Sequence, residues 1–403
     1  MSSQQTQPQV RKRRVFYIPG YDPIPPRRYR ELYRRESRSQ AAISGYEIEV
    51  IGKTDGGAYG WRVLSHQDGV SVETEIEVLV WADIVKDSMA RSILVTYFQM
   101  VQTAWIYIST GTLWRLMQLR KGPVIAALYP VGMLLAQLAL ALLVGWGVAV
   151  GLGTFMWWWS VLPAAVAVYA LMRWFRAIDN RLFAYYLMHD YAHSARLKGA
   201  YSPELTTRLD QFSDQILQAL GSDVDEVLVV GHSSGAHLGV TALAEVLRRQ
   251  GKIGGPALSF LSLGQVVPMV SFLPKARALR TDLQYLSGSE GLAWVDVSAP
   301  GDGCAFALCD PVAVSGVSLP NKCWPLVLSA AFTQTLSSKR WKQLRWRFFR
   351  LHFQYLCAFD RPNDYDYFKI TAGPQTLGER FANRTPSRSR IERTISKHTT
   401  VAA

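Results

Sequence analysis

The stretch DEVLVVGHSSGAHLGV, residues 225–240, runs from β-branched and aliphatic residues into a turn of glycines and serines. Its first half is typical of a buried strand, because a short apolar run bounded by turn residues is the pattern of a strand covered on both faces. Its second half opens with the small residues Gly235 and Ala236 and has the apolar spacing of a helix. Ser233 therefore lies at a junction between a strand and a helix.

The segments on both sides of this junction alternate in the same way. Strands are predicted for VFYIPG (15–20), YEIEVIGK (46–53), PALSFLSLG (256–264) and LAWVDVSAP (292–300), with a possible meander through VSVETEIEVLVWADIV (70–85). Helices are predicted for RRYRELYRRESRS (27–39), PELTTRLDQFSDQILQALG (203–221) and SGAHLGVTALAEVLRRQ (234–250). This alternation predicts an α/β fold with a doubly wound, mainly parallel sheet.

An uncharged stretch from Gly122 to Met172 interrupts this pattern. Since one membrane crossing needs about 20 apolar residues, the stretch predicts a transmembrane helical hairpin with two spans. The turn is expected at Gly151–Leu152–Gly153–Thr154, and tryptophans flank it as an interfacial belt does, at Trp146 and at 157–159. The alternative, a buried hairpin of a soluble protein, is disfavoured because the stretch contains no charge.

Basic residues flank both outer ends of the hairpin, and none lies at its tip: Arg115, Arg120 and Lys121 before it, and Arg173, Arg176 and Arg181 after it. The positive-inside rule places both flanks in the cytoplasm. Both termini and the main domain are therefore expected to be cytoplasmic. The segment 92–114 is also uncharged but much more polar, which favours an interfacial or core helix over a third crossing.

The formal net charge of +13 comes from 44 Lys and Arg against 31 Asp and Glu. The excess gathers in both tails, beside the hairpin and in SKRWKQLRWRFFR (338–350). This placement predicts contact with anionic lipid headgroups, although a solvated helix face would give segment 338–350 the same composition. The chain contains no nucleic-acid-binding motif, so a nucleic-acid partner is not expected. The four cysteines lack metal-site spacing and are interpreted as free thiols.

These features predict six regions along the chain. They are a disordered basic tail (1–13), the first part of the main domain (14–91), an interfacial or core helical segment (92–121), the transmembrane hairpin (122–173), the second part of the main domain (174–378) and a second disordered basic tail (379–403).

The turn at Ser233 carries the motif G-x-S-x-G, as Gly231–His232–Ser233–Ser234–Gly235. Glycines on both sides allow a strand and a helix to approach closely, and the turn exposes the serine hydroxyl. With a strand before it and a helix after it, the chain resembles the α/β-hydrolase superfamily over roughly residues 14–60 and 180–375. The resemblance implies a serine nucleophile, followed in the sequence by an acid and then a histidine.

By that resemblance Asp302, in the glycine-rich loop after LAWVDVS, is the candidate acid. Asp296 is a poorer candidate because it lies inside the strand, and Asp310 is the reserve. A plain turn aspartate is the alternative interpretation of Asp302. His352 is the candidate base, since the other histidine after Asp302, His398, lies in the basic tail. The segment around His352 is predicted to be helical, so a core histidine is the alternative interpretation.

The resemblance also implies an oxyanion hole made of two backbone N–H groups. One belongs to Ser234, the residue after the nucleophile. The other is assigned to Tyr21, although this chain has Pro19 where many relatives have histidine. Because Tyr21 precedes the hairpin and Ser233 follows it, a shared site requires an even number of spans.

The chain is thus expected to be a membrane-anchored serine hydrolase that cleaves an acyl ester, lipid-like in character, without a cofactor or metal. An acyl-thioesterase or acyltransferase would use the same residues. A membrane scaffold built on an inactive hydrolase fold is a third alternative, since a fold alone does not define a function.

Overall fold

A computed structural model describes residues 9–53, 58–89, 92–153, 158–250 and 254–401. Its centre is an eight-stranded sheet in the order β2-β3-β4-β1-β5-β6-β7-β8. The strands are β1 (Lys12–Ile18), β2 (Glu47–Gly52), β3 (Gly60–Gln67), β4 (Val70–Val78), β5 (Glu226–His232), β6 (Ala257–Leu263), β7 (Ala293–Ser298) and β8 (Leu326–Ser329). All neighbours from β4 to β8 pair in parallel, and β2, β3 and β4 form an antiparallel meander. The predicted α/β class and mainly parallel sheet are confirmed.

Helices connect these strands and extend beyond the sheet. In the described residues they are α1 (Arg27–Ser44), α2 (Ala82–Met89), α3 (Ile93–Ser109), α4 (Thr112–Met117), α5 (Lys121–Gly153), α6 (Val161–Ala177), α7 (Asp179–Leu182), α8 (Ala184–Arg196), α9 (Pro203–Leu220), α10 (Gly235–Gln250), α11 (Val267–Ser271), α12 (Arg277–Ser287), α13 (Pro311–Val314), α14 (Phe332–Thr335), α15 (Ser338–Leu344), α16 (Phe348–His352), α17 (Tyr367–Ala372) and α18 (Leu377–Phe381). Two 3₁₀ turns lie at Trp158–Ser160 and Phe353–Leu356.

The sheet separates two hydrophobic cores. Along β1, Phe16 and Ile18 point into one core while Val15 and Tyr17 point into the other, as the two-residue period of a strand requires. Helices α9, α10 and α12 cover the first face, and α1, α17 and α18 cover the second. Every residue of β5 is buried, which explains why the stretch before Ser233 is continuously apolar.

The first tail is ordered earlier than expected, because β1 begins at Lys12 and not after residue 13. Arg13 and Glu226 form an ion pair at 2.6 Å, and both side chains are inaccessible to solvent. Arg13 also donates to two backbone carbonyls, and Glu226 accepts from the hydroxyl of Ser259 at 2.6 Å. The buried pair therefore ties β1 to β5.

We expect Glu226→Gln to lower the free energy of unfolding by about 3–5 kcal/mol, because it leaves the buried guanidinium of Arg13 without its counter-charge. Denaturant unfolding of the purified protein measures the loss. The matched control is Glu245→Gln, which breaks a partly exposed 2.6 Å pair with Arg249 and should cost less than about 1 kcal/mol. Equal losses in the two variants would contradict the structural role of the buried pair.

The second tail also differs from the expected disordered region 379–403. After α18 the chain packs on the main domain as far as Val401, and Ile395 is buried in a cluster with Val314. The backbone N–H of Ile395 donates to the carbonyl of Val314 at 3.1 Å, and Arg280 donates to the carbonyl of Thr400 at 2.8 Å. A few apolar residues spaced along a basic segment are enough to anchor it, which composition alone does not show.

Helices α5 and α6 lie side by side and form a helical hairpin. A Cβ added at Gly145 of α5 would lie 2.5 Å from a methyl group of Val168, so glycine permits the close approach of α6. Residues 151–153, expected in the turn, still belong to α5, and Thr154 and Trp157 lie outside the described residues. Among the described helices α5 alone is long and apolar enough to cross a membrane, whereas α6 has 17 residues.

Candidate active site

Ser233 lies directly after β5. Its φ of 57° belongs to the left-handed region, which residues other than glycine rarely adopt. The neighbouring glycines are required by close packing. A Cβ at Gly231 would lie 2.7 Å from the carbonyl oxygen of Gly235, and a Cβ at Gly235 would lie 2.1 Å from that of Ile18. The side chain of Ser233 is partly exposed, while its N–H donates to Leu263 at 2.9 Å. The G-x-S-x-G motif thus holds a strained, accessible serine at the junction of β5 and α10.

Asp302 and His352 are brought together by the loop after β7, which carries Asp302, and by helix α16, whose last residue is His352. The Asp302 carboxylate is buried, and its Oδ2 lies 2.7 Å from Nδ1 of His352. Its other oxygen, Oδ1, accepts from the N–H of Cys304 at 2.9 Å. A plain turn aspartate would make only the second contact. The first fixes the imidazole ring and favours the tautomer with its proton on Nδ1.

The two other aspartates have separate structural partners. Asp296 lies inside β7, where its carboxylate accepts from Ser262 at 2.6 Å and burial raises its pKa to about 7. Asp310 accepts from the first N–H groups of α13 and pairs with Lys322. Neither contacts His352 in the described structure, so Asp302 is the one of the three aspartates that pairs with this histidine.

His352 lies beside the serine turn. The ring of His232 is 4.7 Å from the ring of His352, and its Nε2 is 3.0 Å from the His352 carbonyl oxygen. Burial lowers the pKa of His232 to about 3, so this ring is neutral and donates to that carbonyl. On another side, a Cβ added at Gly264 would lie 3.1 Å from Cε1 of His352. His352 is therefore held between His232, at the end of β5, and Gly264, directly after β6.

The serine–histidine hydrogen bond of a triad is not formed in this structure. Nε2 of His352 is buried and has no hydrogen-bond partner among the described residues. Nδ1 is paired with Asp302, so Nε2 is the ring atom left to accept a proton. Catalytic hydrogen bonds are often long without substrate and shorten when it binds.

Tyr355 is a further site residue, which no motif in the sequence indicates. Its hydroxyl donates to Oδ2 of Asp302 at 3.0 Å and accepts from the N–H of Ala299 at 2.9 Å. The side chain is fully buried. Tyr355 lies three residues after His352, in the 3₁₀ turn at Phe353–Leu356. It therefore links the segment that carries His352 to the loop after β7 that carries Asp302.

We expect Tyr355→Phe to lower ester turnover by roughly tenfold and the free energy of unfolding by about 1–3 kcal/mol, since the change leaves the buried N–H of Ala299 unpaired. Turnover per folded molecule and denaturant unfolding are measured on the same preparation. The phenyl ring preserves packing, so a loss of stability with unchanged turnover would show that the hydroxyl supports only the fold.

The proposed oxyanion donors lie on the side of Ser233 that faces the end of β1. A Cβ added at Gly20 would lie 3.0 Å from Cβ of Ser233, so Tyr21 follows a residue that packs against Ser233. Trp81 donates to the backbone carbonyl of Pro19 at 3.0 Å, and the hydroxyl of Tyr186 donates to the backbone carbonyl of Tyr21. In the described structure the N–H groups of Tyr21 and Ser234 donate to no protein acceptor. Both donors thus remain available to a ligand.

The loop between β7 and α13, residues 299–310, carries Asp302. It is packed between the first turn of α5 and segment 338–350. A Cβ at Gly303 would lie 3.2 Å from the ring of Phe348, and one at Gly122, in the first turn of α5, would lie 3.1 Å from Cα of Gly303. A Cβ at Gly301 would lie 2.6 Å from the ring of Trp341. The base of α5 is therefore in direct contact with the loop that carries Asp302.

A metal site is the alternative use of this cluster, because side-chain donor atoms of Asp302, Cys304 and His352 lie within 4.8 Å of one another. The donor chemistry does not favour it. Burial raises the pKa of the Cys304 thiol, and a metal needs the thiolate. The Asp302 oxygen and the His352 nitrogen already bond to each other at 2.7 Å. The arrangement is better suited to proton transfer than to metal binding.

Comparison with known proteins gives no relative: no protein-family model, curated protein or solved structure matches this chain.

Proposed function

We propose that this protein is a membrane-anchored serine hydrolase that cleaves an ester through Ser233, His352 and Asp302. The observation that carries the proposal is the 2.7 Å pair between Asp302 and His352, next to a serine held at φ of 57°. The strand order supports it as well, since the serine follows β5, the acid follows β7 and the histidine follows β8. This is the order that the resemblance to α/β-hydrolases implies.

In the proposed reaction the Ser233 oxygen attacks the acyl carbonyl while Nε2 of His352 takes the hydroxyl proton. The negative charge that forms on the carbonyl oxygen accepts hydrogen bonds from the N–H groups of Ser234 and Tyr21. His352 then gives its proton to the departing alcohol. Water hydrolyses the acyl-enzyme in a second round, and Asp302 stabilises the imidazolium in both rounds.

The surface of the hairpin supports a lipid-like substrate. Exposed apolar side chains follow α5 and α6 along their length, among them Leu128, Leu142, Trp146, Leu162 and Val166. Soluble monomers rarely expose so many large apolar side chains on adjacent helices. Because α5 begins against the loop that carries Asp302, the proposed active site lies at the base of the membrane anchor, where lipids are concentrated.

Helix α3 extends this apolar surface and is neither a core helix nor a polar one. Its outward stripe includes Leu94 and Trp105, which are 83% and 70% exposed, whereas Thr96 and Thr103 face inwards. Tyr97 on α3 donates to the carbonyl of Leu134 on α5 at 2.7 Å. Small polar residues inside and large apolar residues outside are expected of a helix that faces lipid. We therefore assign the outward face of α3 to the bilayer.

The segment 338–350 is suited to the adjacent headgroup layer. Arginines and aromatic residues alternate on its exposed part, at Arg345, Trp346, Arg347, Phe348 and Arg350. Arginine pairs with phosphate, and tryptophan prefers the membrane interface. Both flanks of the hairpin carry the same positive charge, which supports an anionic cytoplasmic leaflet as the partner.

We expect reporters fused before Met1 and after Ala403 to lie on the same, cytoplasmic side of the membrane, because an even number of spans separates Tyr21 from Ser233. Protease protection in oriented vesicles measures the side of each reporter. Reporters on opposite sides would contradict both the two-span hairpin and a site shared by the two parts of the main domain.

Product analysis with the purified wild-type protein tests the chemistry. Short-chain oxygen esters should release acid and alcohol in equal amounts, and added hydroxylamine should divert part of the acyl group to a hydroxamate by intercepting the acyl-enzyme. A strong preference for thioesters would favour a thioesterase, and transfer to alcohols in place of water would favour an acyltransferase. No turnover of any ester by a folded protein would favour the inactive scaffold.

A further inference from the structure

One acidic side chain near the proposed site has no partner in the described structure. Asp190 lies on α8, three residues before His193 and four after Tyr186, so the three share one helix face. The hydroxyl of Tyr186 donates to the carbonyl of Tyr21, and the ring of His193 is 5.7 Å from the Tyr21 ring. Asp190 therefore faces the loop that carries the proposed oxyanion donor.

Asp190 is close enough to the proposed site to act on its residues electrostatically. Its negative charge helps to raise the pKa of Tyr21 and of the Cys304 thiol, in both cases after the larger effect of burial. His352 in turn lowers the pKa of Asp190, against the larger effect of burial. The side chain of Asp190 is partly exposed to solvent, so a ligand can reach it.

Asp190 lacks a compensating cation. In the described residues it makes no hydrogen bond and no ion pair, and no lysine or arginine acts on its pKa, which burial raises to about 7. This is unexpected in a chain with a net charge of +13. A carboxylate that loses water without gaining a partner is unstable, and a cationic ligand would remove that instability.

Tyrosine side chains lie near the same carboxyl group. Burial raises the pKa of Tyr107 and of Tyr191, and the charge of Asp190 raises it further in both. The rings of Tyr21 and Tyr186 are 6.1 Å apart. Tyrosine rings attract organic cations through their π faces, so acid and rings favour the same kind of ligand.

We propose that Asp190 is a substrate-binding residue that receives an organic ammonium group of the ester substrate. The inference rests on the proposed function and names its substrate class. The ammonium group is carried either by a soluble ester or by a lipid headgroup, and the two sources are separated by the choice of substrate pair.

Two matched pairs of substrates test the inference. Butyrylcholine is compared with 3,3-dimethylbutyl butyrate, in which carbon replaces the charged nitrogen, and lysophosphatidylcholine with lysophosphatidylglycerol. In at least one pair the wild-type protein should prefer the member that carries the ammonium group. Asp190→Asn should lower kcat/KM for that member by roughly 10- to 100-fold and should not lower it by more than about threefold for the member without an ammonium group. The pair that responds identifies the source of the ammonium group.

Asp87→Asn is the control variant, because it removes the same charge from an exposed position on α2 and should leave both ratios unchanged. Equal preference in wild type and Asp190→Asn, in both pairs, would overturn the inference while leaving the hydrolase proposal intact. Tetramethylammonium provides a measurement that needs no turnover. It should slow fluorophosphonate labelling of Ser233 in the wild type and not in Asp190→Asn, and no effect on the wild type would also overturn the inference.

Discussion

Ser233→Ala should abolish ester turnover, with kcat/KM falling by about 10⁴- to 10⁶-fold, to the level that transition-state binding alone supports. The side chain is partly exposed and makes no hydrogen bond with the described residues, so its removal costs little packing. The strained φ of 57° is equally accessible to alanine and serine. The free energy of unfolding should therefore stay within about 1 kcal/mol of wild type.

The control for this change is Ser222→Ala, on the exposed loop before β5. Its hydroxyl donates only to the carbonyl of Ala219, at 2.6 Å, and turnover should remain near wild type. Turnover and unfolding are compared on the same purified preparations. A Ser233→Ala protein that keeps more than about one hundredth of wild-type turnover would exclude Ser233 as the nucleophile, since a triad acts as a unit.

His352→Ala should lower turnover by a factor of similar size, because it removes the proposed acceptor of the Ser233 proton. Among the described residues, no other group that bonds to Asp302 is proposed to take that role. Asp302→Asn should cost about 10⁴-fold, since an amide holds the imidazole in the wrong tautomer. In both variants the loss should exceed any loss of stability. Single-turnover measurements on folded protein, normalised to the fraction folded, check the result.

The alternative interpretation of His352 as a core histidine leads to the opposite result. His352→Ala would then mainly lower the stability, through loss of the ring contact with His232 and of the pair with Asp302, and folded molecules would retain most of their turnover. A double variant, His352→Ala with Asp302→Asn, separates the two cases further. Catalytic partners should show little additional loss of turnover in the double variant, whereas residues that support only the fold should leave the turnover of folded molecules near wild type in all three variants.

Local sequence was sufficient to predict the serine turn. An apolar run that is buried on both faces, followed by glycines and a helix, specifies β5, Ser233 and α10 without reference to the rest of the chain. For Asp302 the resemblance to α/β-hydrolases was also needed, and the structure has this residue in the loop directly after β7.

Long-range contacts explain what the sequence did not reveal. Segment 345–356, around His352, was expected to be helical, but it contains only the short helix α16 and a 3₁₀ turn, so that His352 and Tyr355 both reach Asp302. Strand β8 has only four residues and no alternating pattern, and it is defined by its pairing with β7. The pairing of Arg13 with Glu226 joins residues 213 positions apart, and no local pattern in a basic tail predicts it.

Labelling with a fluorophosphonate tests the central claim most directly, because the reagent reacts with an activated serine and not with an ordinary one. Wild-type protein in its membrane should gain one adduct, located by peptide mass on Ser233. Ser233→Ala should gain none, and His352→Ala should react far more slowly because the serine has lost its base. A folded wild-type protein that gains no adduct, or an adduct that persists in Ser233→Ala, would contradict the assignment of Ser233, His352 and Asp302 as a catalytic triad.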